Sequence, residues 1–149
     1  MNDLRDLYQD TILEHYKKPR NFHDLPDATA HADGYNPLCG DKVKVYLKMT
    51  DGVVTDVAFE GSGCAISTAS ASIMTEALKG KTVDEANRLF TTFHDLVTEQ
   101  GPQPDSAGLG KLAVFGGVRE FPMRVKCATL AWHTMKAALD QKNDPVSTE

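Results

Sequence analysis

The stretch KVKVYLKM, residues 42–49, constrains the fold more than any other part of the sequence because every second residue is apolar. These positions are Val43, Val45, Leu47 and Met49. Such alternation is typical of a β-strand with one buried face. Asp51–Gly52 separates this stretch from a second strand-like run, VVTDVAFE. Because a two-residue turn needs positive φ, which Asp and Gly adopt readily, the sequence predicts a β-hairpin.

A helical pattern precedes this hairpin. Its apolar residues recur on one helical face, at Leu4, Leu7, Tyr8 and Ile12. Pro19 ends the pattern, so we predict a helix over about 3–17. A loop that includes a short edge strand around ATAHADG connects this helix to the hairpin.

Further helices are predicted after the hairpin. A glycine-rich turn around Cys64 leads into a helix of small residues, which Gly80 ends. Thr82 and Glu85 fit a capping box. The helix that they open has an apolar face of Leu89, Phe90, Phe93 and Val97. KLAVFGGVREF suits a short helix and turn, and Pro122 suits the first turn of a last helix that runs to about Gln141.

These elements predict an α+β domain with a small antiparallel sheet of about three strands and helices packed on one face. We expect one domain over residues 1–149, with a surface loop insertion at 99–110 and a flexible tail at 142–149. A chain of this length buries enough surface to fold without a metal or a disulfide.

Composition narrows the function classes. The net charge is −5, which argues against a nucleic-acid partner. No apolar run approaches the roughly 20 residues that span a bilayer, and the polar start MNDLRDLYQD has no signal-peptide core. We therefore expect a cytoplasmic protein with neither a membrane nor a nucleic acid as partner. Because thiols stay reduced there, an odd number of cysteines favours metal binding or catalysis over disulfides.

The three cysteines all fall at boundaries of predicted elements. Cys39 lies in the turn NPLCGD before the first clear strand, Cys64 between a strand and a helix, and Cys127 in the opening turns of the last helix. A helix N-terminus favours the thiolate form, which binds metals and attacks electrophiles. Asp41 lies two residues after Cys39, on the same side by alternation. Three thiolates and one carboxylate form a four-ligand set that zinc accepts.

A second interpretation of these residues remains open. Free cysteines are often buried as small apolar residues, and Asp41 could simply cap its own turn. The sequence has no CxxC pair to strengthen the metal interpretation. The five histidines are predicted to be surface or half-buried residues rather than ligands.

Three motifs together resemble a known family. NPLCGD, GSGCAISTASAS and the cysteine of RVKCATLAWH are similar to the three cysteine motifs of the IscU/SufU/NifU-N iron–sulfur cluster assembly proteins. The N-terminal LYQDTILEHYKKPRNF also resembles this family. The chain looks closest to the SufU branch, because Lys126 stands where the scaffold branch has a histidine before its third cysteine. Glu120–Arg124 (EFPMR) also departs from the chaperone-binding motif of the scaffold branch.

The resemblance implies a zinc-dependent protein that accepts persulfide sulfur from a SufS-type cysteine desulfurase, a PLP enzyme. Carried over by motif, the zinc ligands are Cys39, Asp41, Cys64 and Cys127, and Cys39 is the sulfur acceptor. Arg124 matches an arginine near the site and is carried over with it as a catalytic residue. The protein would be sulfurtransferase-like rather than a stand-alone enzyme, and it would pass sulfur to downstream iron–sulfur assembly proteins.

Two rival functions use the same residues. A scaffold would assemble a 2Fe–2S cluster on these ligands and pass it to apoproteins, since cluster irons also take thiolates. A non-enzymatic module would use zinc only for folding, so that chelation would unfold it.

Overall fold

The computed structural model describes residues 3–98, 110–141 and 146–147, with the side chains of 3–9 and 119–120 excepted. The predicted loop at 99–110 lies outside these residues apart from Gly110, as does most of the predicted tail. The elements in chain order are α1 (Asp3–Lys17), β1 (Ala30–Asn36), β2 (Asp41–Thr50), β3 (Val53–Ser62), α2 (Ala65–Leu78), α3 (Val83–Val97), the 3-10 helix η1 (Gly110–Glu120), α4 (Pro122–Leu139) and β4 (Val146–Ser147). Among them, no helix is long and apolar enough to cross a membrane.

The sheet has four strands rather than about three, in the order β3-β2-β1-β4. It is mixed rather than purely antiparallel, because β4 runs parallel to β1 and pairs at Gly34 and Tyr35. A strand of two residues is too short to leave a periodic signal. The short edge strand predicted around ATAHADG corresponds to β1, which is not at the edge because β4 pairs with it. The residues that β1 buries are Ala32, Gly34 and Asn36 rather than large apolar ones.

The local predictions around the turns and caps are confirmed. Asp51 and Gly52 both have positive φ, at 53° and 77°, as the two-residue hairpin turn requires. Thr82 and Glu85 form the predicted capping box at the start of α3. Gly80 has a φ of 84° just after α2, which suits a residue that ends a helix.

The helices cover one face of the sheet and bury the large core against it. Leu25, Tyr46 and Ala58 form a second, small cluster. The aromatic rings of Phe93 on α3 and Trp132 on α4 stack with centroids 4.5 Å apart. Phe115 of η1 meets Phe93 edge-on at 5.8 Å. The predicted α+β class is thus correct, and the opposite face of the sheet carries lysines and acidic residues of β1, β2 and β3.

Gly34 lets β1 lie against α4. A Cβ atom at this position would collide with Thr134 Oγ1 and approach Leu130 Cδ1 to 3.2 Å. The Thr134 hydroxyl cannot swing away freely, because it donates to the Leu130 carbonyl at 2.8 Å. Glycine is therefore required here for packing rather than for an unusual backbone conformation.

We expect Gly34→Ala to lower the free energy of unfolding by about 1–3 kcal/mol, the usual cost of overpacking a core. Urea unfolding followed by circular dichroism measures this change. Thr134→Ala removes the colliding hydroxyl, so the double variant should recover part of the loss. An additive double-mutant cycle would contradict the proposed contact.

His15 is fully buried, although the sequence predicted a surface or half-buried residue. Its Nδ1 lies 2.7 Å from Ser72 Oγ, which also accepts the Arg20 backbone N–H. Its Nε2 is buried without a hydrogen-bond partner, 3.8 Å from Glu76 Oε1. Burial, assisted by the charges of Arg20 and Lys111, lowers the pKa of His15 below its usual 6.5.

This lowered pKa makes stability depend on pH. Below pH 6.5 the unfolded chain binds a proton at His15 more readily than the folded chain, so the free energy of unfolding should fall as pH decreases from 7 to 5. Urea titrations of the chelator-treated protein at several pH values test this. His15→Phe should make the slope shallower, because the remaining titrating groups are common to both proteins. An unchanged slope would contradict the assignment.

Candidate metal and sulfur-transfer site

The motif NPLCGD forms the loop of the β1–β2 hairpin. Asn36 and Asp41 are its closing pair, and residues 37–40 make the loop. The Cys39 N–H donates to the Asn36 carbonyl at 3.2 Å, and Gly40 has a φ of 73°, which suits glycine. This turn leaves the Cys39 side chain exposed at the tip of the hairpin.

Asp41 is fully buried at the start of β2. Its Oδ1 accepts the backbone N–H of Cys64 at 2.9 Å, so the carboxylate ties the hairpin to the start of α2. Gly63 makes room for this contact, since a Cβ there would lie 2.5 Å from Asp41 Oδ1. Asp41 therefore does more than cap its own turn.

Cys64 is the N-cap residue of α2, and its Sγ accepts the backbone N–H of Ser67 at 3.4 Å. A hydrogen bond from Cys127 lowers the pKa of Cys64 to about 7, and the N–H groups of Ser67 and Ile66 contribute. Partial burial and the charge of Asp41 oppose this shift. The lowered pKa brings Cys64 close to ionisation at neutral pH.

Cys127 lies in the second turn of α4 and is buried. Its Sγ is 3.9 Å from the side-chain Nδ2 of Asn36 on β1. The hydrogen bond to Cys64 raises the pKa of Cys127, as do burial and the neighbouring Asp41 and Cys39. The second turn, unlike a helix N-terminus, offers no unpaired N–H group to stabilise a thiolate.

All four predicted ligands meet at this end of the sheet. Donor atoms of Cys39, Asp41 and Cys127 lie within 4.8 Å of one another. Cys64 lies beside them, and its Sγ is 4.0 Å from Asp41 Oδ2. The same Sγ accepts the Ser67 N–H. The three cysteines line one cavity of about 290 Å³. Three sulfur donors and a buried carboxylate fit a zinc ion in donor type and number.

Arg124 lines the same cavity. Its guanidinium carbon lies 4.6 Å from the centre of the Phe121 ring. This cation–π contact keeps the positive charge of Arg124 beside the cavity. Met123 also lines the cavity, Leu38 directly precedes Cys39, and Phe121 packs against Arg124. Between 46% and 58% of each of these large apolar residues remains exposed. We call these three residues the apolar rim.

The sequence did not predict roles for Asn36 or the apolar rim, and it predicted that Gly63 leaves the approach to Cys64 open rather than that it makes room for Asp41. Asn36 lies in the motif NPLCGD. The signal for its role was an Asn that precedes Pro, with a cysteine three residues after it. Of the histidines, His23 and His31 are exposed and His94 and His133 half-buried. Among the described residues, the group that could hold a metal contains no histidine.

Comparisons with known proteins identify the family to which this α+β domain belongs. The sequence matches the NifU-like N terminal domain over residues 7–128. It is 43% identical over 135 residues to the zinc-dependent sulfurtransferase SufU of Bacillus subtilis, with 90% of each chain covered. It is 38% identical to the iron–sulfur cluster assembly scaffold protein IscU of Streptococcus pyogenes, covering 93% of this chain and 86% of that one.

The solved structures agree with the sequence comparison. The iron–sulfur cluster assembly scaffold protein for the SUF system of Fervidobacterium islandicum superposes with a TM-score of 0.83 at 35% identity, covering 91% of this chain and 98% of that one. The chain belongs to the IscU/SufU/NifU-N family of iron–sulfur cluster assembly proteins.

Proposed function

We propose that this protein is a zinc-dependent sulfur acceptor that takes persulfide sulfur from a SufS-type cysteine desulfurase. One observation carries the proposal: Cys39 stands on an exposed loop, yet its sulfur lies within 4.8 Å of the donor atoms of Asp41 and Cys127. A purely structural thiol would not need this exposure. The 43% identity to a zinc-dependent sulfurtransferase supports the same function.

The ligand set would be Cys39, Asp41, Cys64 and Cys127. Bound zinc would keep the thiolates deprotonated and shielded from oxidation. Asp41 suits this set because it is fully buried and already fixed by the Cys64 N–H. Three thiolates and a carboxylate leave excess negative charge beside a divalent ion, and Arg124 at the mouth of the site would offset part of it.

The transfer itself would be an exchange at sulfur. The Cys39 thiolate attacks the outer sulfur of the desulfurase persulfide, the S–S bond breaks, and the desulfurase cysteine leaves as a thiolate. Cys39 then carries the outer sulfur as its own persulfide. Electrons balance without an outside oxidant or reductant, so the protein needs only a docked donor and a later acceptor.

The apolar rim would form the docking surface for the desulfurase. Exposed apolar residues grouped around a functional site are typical of an interaction surface. Arg124, held over the Phe121 ring, would stand between this surface and the cavity. A reducing cytoplasm would suit an exposed thiol of this kind, and downstream iron–sulfur assembly proteins would receive the sulfur.

The test is to measure cysteine turnover by a SufS-type desulfurase with and without this protein, and to locate added sulfur by mass spectrometry. We expect faster turnover and a mass increase of one sulfur atom on the peptide that contains Cys39. Unchanged turnover together with no sulfur on Cys39 would refute the proposal.

The scaffold function is the second candidate, because an IscU scaffold protein is also 38% identical over most of the chain. Metal analysis after anaerobic purification separates the two. About one zinc per chain would favour sulfur transfer, whereas a stable brown cluster with iron and sulfide would favour the scaffold.

A further inference from the structure

We infer that Asn36 is a positioning residue that holds the Cys39 loop and anchors Cys127, so that Cys39 is the cysteine free to leave the site. The inference rests on the proposed function and assigns a role to a residue that is not a ligand. Asn36 and Asp41 face each other as the closing pair of the β1–β2 hairpin, and both are fully buried.

The contacts of Asn36 fix the orientation of its carboxamide. Its Oδ1 accepts the Leu38 backbone N–H at 3.2 Å. Since a backbone N–H can only donate, the atom that faces Leu38 must be the oxygen. The NH₂ group then points to Cys127 Sγ, 3.9 Å away on α4. One side chain thus caps the loop and donates to a sulfur.

The closing pair of the hairpin therefore reaches both of the other cysteines. Asn36 contacts the sulfur of Cys127, and Asp41 accepts the N–H of Cys64. The small Gly34, two residues before Asn36 on the same face of β1, brings this strand close to α4. The Asn36 side chain can reach Cys127 because of that close approach.

The three sulfurs consequently differ in how they are held. The Cys64 sulfur accepts the Ser67 N–H, and the Cys127 sulfur accepts from Asn36. Cys39 is exposed in the hairpin loop, and the donors described above go to the other two sulfurs. N–H donors stabilise a thiolate at its position in the site. The sulfur of Cys39 is therefore the easiest of the three to release.

Asn36→Ser tests this role. A serine hydroxyl can still cap the Leu38 N–H but is too short to reach Cys127. We expect a folded variant that binds zinc about 10–100-fold more weakly, as when other groups that orient a metal ligand are removed. Alkylation of the zinc-loaded protein, mapped by mass spectrometry, should extend to Cys127, which is buried and stays protected in the wild type. Asn87→Ser on α3 is the matched control and should leave both measurements unchanged.

A folded Asn36→Ser variant with unchanged zinc affinity and an unalkylated Cys127 would overturn the inference. A second measurement uses the wild-type protein and so does not depend on how the variant folds. The side-chain NH₂ resonances of Asn36 should shift when zinc is added and exchange slowly with water, whereas resonances typical of a solvated amide would overturn the inference. No desulfurase is present in these experiments, so their failure is distinct from failure of the proposed function.

Discussion

Cys39→Ser should reduce desulfurase turnover to the level of the desulfurase alone and remove sulfur loading at the hairpin loop. A serine hydroxyl is not ionised at neutral pH and cannot attack the persulfide. Because the Cys39 side chain is exposed, the free energy of unfolding of the chelator-treated protein should change by no more than about 0.5 kcal/mol. Desulfurase assays and urea titrations measure the two effects.

Leu38→Ala provides the control for this variant. It changes the neighbouring residue of the same loop, where 58% of the Leu38 side chain is exposed, and leaves the thiol in place. We expect a higher concentration for half-maximal stimulation but the same maximal turnover, because only docking is weakened. Full sulfur loading of Cys39→Ser at another cysteine, at the wild-type rate, would contradict the assignment of Cys39 as acceptor.

Asp41→Ala should lose zinc and also destabilise the chelator-treated protein. The carboxylate is fully buried and accepts the Cys64 N–H at 2.9 Å, so its removal leaves that N–H without its acceptor. Loss of a hydrogen bond to a charged group costs about 1–3 kcal/mol. Zinc affinity, measured by competition with a chromogenic chelator, should fall at least about tenfold, because one ligand is gone.

Asp41→Asn is the matched comparison, because it keeps the size of the side chain and an oxygen that can accept the Cys64 N–H. We expect its free energy of unfolding without metal to stay within about 1 kcal/mol of the wild type. Its zinc affinity should still fall, since a neutral amide is a poorer ligand than a carboxylate. Wild-type zinc affinity in both variants would remove Asp41 from the ligand set.

The sequence predicted the elements whose signals are local. The alternation of residues 42–49, the Asp51–Gly52 turn and the Thr82–Glu85 capping box depend on neighbouring residues, and all three are present in the structure. β4 depends instead on pairing with a strand more than a hundred residues earlier in the chain. The burial of His15 likewise depends on a distant partner, Ser72.

The sequence predicted which residues belong to the site but not how those residues contact one another. The position of each cysteine at an element boundary and the carboxylate beside the first of them were visible in the sequence. The contact between Asp41 and the Cys64 N–H, and that between Asn36 and Cys127, arise only when the hairpin packs against α2 and α4. The ligand set itself stays a prediction that metal analysis and the variants above will test.

The close contact between Gly63 and Asp41 limits which substitutions position 63 can accept. Every missense change there introduces a Cβ atom, and that atom would lie 2.5 Å from Asp41 Oδ1. A substitution at Gly63 therefore has to displace this buried carboxylate, whereas a change at an exposed residue such as Leu38 displaces no buried group. A lineage that acquired a different partner is therefore expected to vary its exterior around the cavity and to keep this glycine.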